Sequence, residues 1–531
     1  MLRFREKLTN FFSLSKSERN FKDLARTLQK KYYRSDGVIL VEKRYWAFDI
    51  LSLLHFLPSA LSFYKARPIT YEILTNKPFL RLKNWIRHKF STQNAISSSA
   101  YLLVATERFI KLEHNEIARE ITSMHMSKKE FEKFEYKGIR IGDLIYDEFL
   151  RKKSHVTLDF DSQDFLNLVI SFLQFCDKFM AIFAKEEIKA VIVSHPVYRY
   201  ALPARIANQL GIDAFLVDQT NLVKLNSTYQ YGGMNLFSEL SEQHKQFSKG
   251  EIIQNRHVAR DRLRNRIEGN TVDLGLPERE TAGAEDLRVQ LKNLKEKEFA
   301  LIALHDFHDA AHSYGGNFYP DFSIWVESVG RCTMGSNFIF LIKPHPFARA
   351  TTEHYMKDLL GKFPHFMEVS SFLNIKDIAS VGVKYCLTVF GSIAHEAPAL
   401  GITVINASIN NPHKDFNFSY TPKDVTEYEL ILRSLSDFDY KHNLDSLYDY
   451  YFLRFVNRPV SWFLPDYADF IKSVGTPWES GTAETLNYFI DTKKKLKWNE
   501  LEAAILRFLS SEKLFFNMNQ HLEDPNTSLM E

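Results

Sequence analysis

The stretch from Phe338 to Ala407 constrains the fold more than any other. It opens with Asn337-Phe-Ile-Phe-Leu-Ile-Lys-Pro-His-Pro-Phe347, an apolar run that stops at a lysine, a histidine and two prolines. A continuous apolar run bounded by such residues predicts a parallel strand buried on both faces. Its carboxyl end delivers Lys343 and His345 into a loop that Pro344 and Pro346 stiffen. Further on, Lys384-Tyr-Cys-Leu-Thr-Val-Phe-Gly-Ser-Ile-Ala-His-Glu-Ala-Pro-Ala-Leu-Gly-Ile-Thr-Val-Ile-Asn406 reads as strand, Gly-Ser turn, short helix, glycine, strand. Gly391 is expected to let the backbone turn tightly, and Ser392 to cap the helix that follows. The free amides of such a helix start form an anion site. Ligands of open α/β sheets sit outside the carboxyl ends of the strands. Lys343, His345 and the Gly391-Ser392 turn are therefore expected to face one crevice, and a phosphate suits that set.

The same alternation runs through much of the chain. Strands are predicted at 37–41, 70–74, 100–105, 189–194 and 214–217, with helices near 162–185 and 202–210. A second set begins with a strand at 298–304, then a helix at 319–332, the strand ending at Lys343, a helix near 353–360 and a strand near 366–369. Strands alternating with helices mean a parallel sheet covered on both faces. The expected fold class is α/β. The divisions are a basic, aromatic segment over 1–35, a first α/β unit over 36–240, a charged linker over 241–297, a second α/β unit over 298–430 and a helical region over 431–531.

Charge narrows the function classes. The 68 basic and 65 acidic residues leave a formal charge of only +3, which argues against a general nucleic-acid binder. Cys176, Cys332 and Cys386 are few and far apart, which suggests a reducing compartment and no disulfide frame. No secretory signal is visible, since Arg3, Arg5, Glu6 and Lys7 interrupt the start. Tyr45 to Tyr64 is the membrane-span candidate, but Asp49, His55 and Pro58 inside it favour a buried helix. The expectation is a cytoplasmic protein. Phe4, Phe11 and Phe12 among Arg3, Arg5 and Lys7 suit either a helix lying on the anionic face of an inner membrane or a packed N-terminal helix.

Four constellations can carry chemistry. His305-Asp-Phe-His-Asp-Ala-Ala-His312 follows a strand and should lie at the carboxyl edge of its sheet. Asp309, with Asp306 as runner-up, is the expected general base, and His305 and His312 are expected to contact substrate. A zinc site and a hydrogen-bonded solvent loop are the other readings of this segment. In Lys343-Pro-His-Pro346, Lys343 binds phosphate and His345 stabilises a leaving phosphate; the alternative is a structural loop. Gly391-Ser392 with Glu396 reads as a helix start plus a ribose acceptor, although Glu396 can instead complement a helix dipole. Ser194-His195-Pro-Val-Tyr198 ends a first-unit strand, where His195 either walls the cleft or sits in a core. The crowded Arg256, Arg260, Arg262, Arg264 and Arg266 read as a solvated helix, or in part as cations facing the cleft.

Together these pieces resemble the bacterial capsular and surface polysaccharide glycosyltransferases of the GT-B fold, of the capsule Kdo-transferase or polysialyltransferase type. The resemblance rests on Lys343 to Pro346, Gly391-Ser392 with Glu396 and Gly401, and His305 to His312 with Trp325. Gly138 to Asp147 with Arg151, and Ser194-His195 with Tyr198, look similar to surface-polysaccharide synthesis proteins. The resemblance implies two Rossmann-like domains facing across a cleft, with C-terminal helices that cross back to the first. It implies metal-independent transfer of a sugar from a nucleotide-sugar, a CMP-sugar slightly favoured, to a hydroxyl of a lipid-linked glycan. In such families the His of the His-Pro pair, here His345, contacts the donor phosphate or acts as acid to the leaving nucleotide. No cofactor is implied. The alternatives are a non-hydrolysing nucleotide-sugar 2-epimerase, which shares the fold, and a non-catalytic member of a polysaccharide assembly complex.

Overall fold

The computed structural model describes residue 20 and residues 37–44, 47–74, 100–106, 110–123, 126–152, 155–226, 239–269, 284–294, 296–346, 350–458, 461–464, 467–474, 482–492 and 498–517. Nearly all of the basic 1–35 segment, with its membrane-surface expectation, lies outside them.

Two parallel sheets form the frame. The first contains β1 (Gly37–Glu42), β2 (Arg67–Leu74), β3 (Ala100–Ala105), β4 (Glu187–Val193), β5 (Asp213–Val217) and β6 (Leu222–Leu225), in the order β3-β2-β1-β4-β5-β6. The second contains β7 (Glu298–Ala303), β8 (Phe338–Lys343), β9 (Phe366–Glu368), β10 (Val383–Thr388) and β11 (Thr403–Asn406), in the order β9-β8-β7-β10-β11. Every pairing in these sheets is parallel except β5 with β6. Each sheet thus starts at its middle, winds outward in one direction, then restarts on the other side. That is the doubly wound order, with a switch point between β1 and β4 in one sheet and between β7 and β10 in the other. The chain is therefore an α/β protein with two Rossmann-like domains.

The reason lies in the apolar runs. Gly-Val-Ile-Leu-Val-Glu of β1 is buried along its whole length, and Phe-Ile-Phe-Leu-Ile-Lys of β8 nearly so. Alternate residues point to opposite faces, so each sheet needs two covers. Val38 and Leu40 face one core with the helix Gln163–Lys185, while Ile39 and Val41 face another with the helix Ala47–Tyr64. The second sheet is likewise split between two cores. Gln163–Lys185, capped by Ser162 through the Phe165 amide, is long and apolar enough to span a membrane, and its Phe165, Leu168, Phe172 and Phe179 are buried in the first core. Of the span candidate at 45–64, the described part, Ala47–Tyr64, likewise folds as a core helix, with Leu53, Leu54, Phe56 and Leu57 fully enclosed.

The stretch 241–297 carries more structure than a linker. Helices Leu240–His244 and Lys249–Ile267 place Leu240, Ala259, Leu263 and Ile267 in a core of the second sheet. Beyond the helix Leu444–Phe455, which also packs there, the chain returns to the first domain. Arg458 donates to the Thr220 carbonyl and to Asn221 Oδ1, Ser461 to the Gln219 carbonyl and Trp462 Nε1 to the Asp218 carbonyl. Trp462, Phe463, Phe489, Phe508 and Phe516 then pack beside the helix Ala47–Tyr64. The return crossing implied by the resemblance is present.

Candidate active site

A cavity of about 510 Å³ opens at the carboxyl edge of the second sheet, walled on the other side by His195 and Val197 of the first domain. It collects His305, Asp306 and Asp309 from the loop after β7, Lys343 and His345 from the loop after β8, and Gly391, Ser392 and Glu396 from the segment after β10. Most of the site residues expected from sequence thus meet around one space, of a size suited to a small ligand. His312 is the exception.

The switch point of the second sheet is held by His305. Its Nε2 accepts from the Phe390 amide at 3.4 Å and lies 3.3 Å from Thr388 Oγ1. The ring stacks on Phe322 at 4.5 Å and meets Phe390 at 4.6 Å. Burial, and then the nearby His345, push its pKa down to about 3, so the ring is neutral. Its only acceptor nitrogen faces protein amide and hydroxyl, so His305 shapes the cavity floor more than it offers charge to a ligand.

The turn after β10 differs from the expectation. Instead of an α-helix capped by Ser392, two short 3₁₀ turns follow, Ser392–His395 and Ala397–Leu400. Gly391 is the N-cap, and no side chain caps it. Pro398 explains the break, since its ring cannot fit a helix interior. Gly391 has φ −68°, so it is not there for an unusual backbone angle. It is there for space: a Cβ would lie 2.7 Å from Thr388 Oγ1. Gly401 does take a left-handed conformation, φ +81°, to end the second turn. The Ala394 amide bonds back to the Gly391 carbonyl. The amides of Ser392 and Ile393 precede it and have no partner within the turn.

Lys343 and His345, two residues apart on the loop after β8, both line the cavity. Lys343 Nζ donates to the Ser371 carbonyl at 2.5 Å. Partial burial lowers the His345 pKa; Asp306 and Asp309 oppose the shift and Lys343 adds to it. His345 is therefore a neutral donor at pH 7.

The two aspartates have different settings. Asp306 Oδ1 accepts from the His308 amide at 2.9 Å, tying that carboxylate into its own loop. Asp309 is exposed to the cleft, and its Oδ1 accepts from the Ala310 amide at 2.8 Å and from the Tyr198 hydroxyl of the first domain at 3.1 Å.

Two expected substrate contacts have partners inside the protein. His312 lies away from the cavity, 3% exposed, with Nδ1 2.6 Å from Asp147 Oδ1 and Nε2 3.4 Å from Glu132 Oε1. Burial alone would depress it, but the carboxylates of Asp147 and Glu132 reverse that and raise its pKa to about 10. It is a cation that joins the domains. Glu396 borders the cavity, but its Oε1 accepts from Arg266 Nε at 2.7 Å. Of the five arginines on Lys249–Ile267, Arg266 thus reaches the wall of the site, while Arg256 pairs with Asp445 and Asp449. His308 Nδ1 lies 3.0 Å from the Leu150 carbonyl. The three loop histidines diverge, and among the described residues no group of three or more His, Cys, Asp or Glu side chains is placed to hold a metal ion.

The same loop stitches the domains together. Asp321 accepts from Tyr146 and from Thr157 Oγ1, the latter at 2.6 Å, and Lys129 Nζ donates to the Asn317 carbonyl at 2.8 Å. Tyr146, Thr157, Lys129 and Asp147 are first-domain residues that sequence reasoning left unassigned as partners. Their only sequence signal was the polar density of the loop they meet.

No family model matches the chain, and no curated protein matches it by sequence. Solved structures align with it at low identity. One is a UDP-GlcNAc 2-epimerase of Methanocaldococcus jannaschii in complex with UDP-GlcNAc and UDP: 10% identity, 77% of this chain, 97% of that one, TM-score 0.24. Another is the Escherichia coli ADP-heptose LPS heptosyltransferase II: 12% identity, 75% of this chain, 96% of that one, TM-score 0.20. A third is WaaG, a glycosyltransferase involved in lipopolysaccharide biosynthesis: 9% identity, 89% of this chain, 100% of that one, TM-score 0.24. Likeness of this degree assigns no residue and no activity, and the fold assignment above stands on strand order and pairing.

Proposed function

We propose that this chain is a glycosyltransferase that moves a sugar from a nucleotide-sugar to a hydroxyl of a growing bacterial surface polysaccharide. The observation that carries the reading is the open switch point of the second sheet, where Lys343, His345, Asp309, Ser392 and Ile393 border one cavity. Lys343 and the two amides meet the donor's phosphates. Asp309 takes the proton of the acceptor hydroxyl as its oxygen attacks the anomeric carbon. The bond from that carbon to the phosphate oxygen breaks, and the nucleotide leaves with the electron pair. His345 donates its N–H to the leaving phosphate, where negative charge grows most in the transition state. Glu396, held by Arg266, is the candidate ribose acceptor. First-domain closure over the cavity keeps water from the donor. The finer parts of the reading, a CMP-sugar donor, a lipid-linked acceptor of capsule or O-antigen type and a place on the cytoplasmic face of the inner membrane, come from the sequence resemblance.

The test is incubation of the full chain with CMP-, UDP- and ADP-sugars, with and without glycan acceptors, followed by chromatography of nucleotides and sugars. Nucleotide released only in the presence of an acceptor, and unchanged by a chelator, is the expected result. Isomerised sugar without an acceptor would make the protein an epimerase. No turnover of any donor would leave it a non-catalytic component.

A further inference from the structure

The transfer reading accounts for the second-domain wall of the cavity. Beside the opposite wall, formed by His195 and Val197, stand side chains that donor binding does not explain. Tyr198 has φ +54°, a left-handed conformation that a bulky residue avoids. Held there, its phenol crosses the cleft and its hydroxyl donates to Asp309 Oδ1 at 3.1 Å. Arg151, the last residue of the helix Gly142–Arg151, lies with its guanidinium carbon 4.4 Å from the centre of the Tyr198 ring. His195, which walls the cavity, and Tyr200 both lie within electrostatic reach of Arg151.

The neighbouring arginines sharpen the point. Arg199 is bound by Glu148, and Arg205 makes two bonds to Asp143, at 2.6 and 2.7 Å. Both charges are met inside the protein. Arg151 is exposed and forms no ion pair with a described residue. Of these three arginines, Arg151 alone has no carboxylate partner among the described residues, and it lies over an aromatic ring that touches the candidate base.

We propose that Arg151, Tyr198, Tyr200 and His195 form the acceptor subsite, and that it takes a sugar bearing an oxyanion, either a carboxylate or a phosphodiester. A planar guanidinium binds such oxyanions through two parallel N–H bonds. The ring beneath it fixes its plane by a cation–π contact. Tyr198 then sets the distance: a unit held on Arg151 lies beside the carboxylate that must take its hydroxyl proton. This assignment rests on the transferase reading for its role, though not for its chemistry.

The experiment is calorimetry on the full chain with three length-matched probes: an oligogalacturonate, an oligomer of glycerol phosphate and a neutral malto-oligosaccharide. The same samples are titrated with UDP and CMP. At least one acidic probe is expected to bind tenfold or more tightly than the neutral one, and which of them does so identifies the oxyanion. Arg151→Gln, an exposed change that leaves the cores intact, is expected to erase that preference and leave nucleotide affinity unchanged. Tyr198→Phe keeps the ring and is expected to keep the preference. Equal binding of the three probes, binding of none, or a preference that survives Arg151→Gln would overturn the subsite. Failure of both nucleotides to bind, with the Arg151-dependent preference present, would count against a UDP- or CMP-sugar transferase and leave the acidic subsite standing.

Discussion

The two sheets share one winding order, yet their switch points are opposites. Between β1 and β4 the crevice is filled by the protein itself. Glu42 Oε2 accepts from the Ser194 amide at 2.6 Å and from its hydroxyl at 2.8 Å, with Arg44 4.0 Å away and Lys43 paired to Glu72 at 2.8 Å. Glu42, Lys43, Arg44 and Glu72 are all buried. Between β7 and β10 the crevice holds a neutral histidine, a glycine and an open cavity. A phosphate offered to the first would meet a carboxylate already in place. Offered to the second, it would meet amides and a lysine. Topology supplies two equivalent positions, and on the proposed reading side-chain charge decides which one takes an anionic ligand.

The contrast can be broken from either side. The largest effect is expected from Asp309→Asn in the open crevice. Loss of a general base typically costs about 10²–10⁴-fold in rate, so transfer should fall by that order in steady-state assays while nucleotide affinity holds. A binding defect of the same size would mean that Asp309 holds the donor instead. Next is Glu42→Ala in the filled crevice. Removing one partner of a buried pair costs about 3–5 kcal/mol, read by chemical unfolding. If stability stayed within about 1 kcal/mol of the parent, against that expectation, the filled crevice would not be structural. His345→Ala should lower kcat about 10²–10³-fold with little change in donor KM, as for loss of one preorganised donor. Turnover within about threefold of the parent would make the His-Pro loop structural.

Acid separates the two crevices by sign. His305, pushed down to about 3 by burial, stays neutral when folded and takes a proton when unfolded. Its stabilising contribution is present above pH 6.5 and is lost as the pH falls from there toward 3. Asp49, near Glu42 and Arg44, is raised to about 7, chiefly by burial. It holds a proton when folded that it loses when unfolded, so its contribution grows as the pH falls from 7 toward 3.8. Each should shift the unfolding free energy by up to about 2 kcal/mol between pH 7 and 5, in opposite directions. Unfolding of His305→Gln and Asp49→Asn across that range checks both signs. A same-sign response would show that burial does not set these two groups as described.

What was legible in the sequence follows from range of interaction. The parallel strands were visible because burial on both faces leaves a continuous apolar run, and β1, β7 and β8 begin and end within a residue or two of expectation. Convergence of the loops at 305, 343 and 391 followed from strand ends alone. The loop fates did not. His305 and His312 belong to one polar run, but one is enclosed by Phe322 and Phe390, and the other is claimed by Asp147 and Glu132 of another domain. Arg266 claims Glu396 in the same long-range way. β6 went unread because Leu-Val-Lys-Leu is too short to show a period and is paired antiparallel at the sheet edge. The helix expected after Gly391 failed locally, through Pro398.

The most direct measurement is a crystal structure of the full chain with CMP, UDP or CDP. The account expects the phosphates against the Ser392 and Ile393 amides and Lys343, with His345 within hydrogen-bond distance and the Glu42 crevice unchanged. A nucleotide seated between β1 and β4, or bound outside the cavity of the second domain, would contradict it.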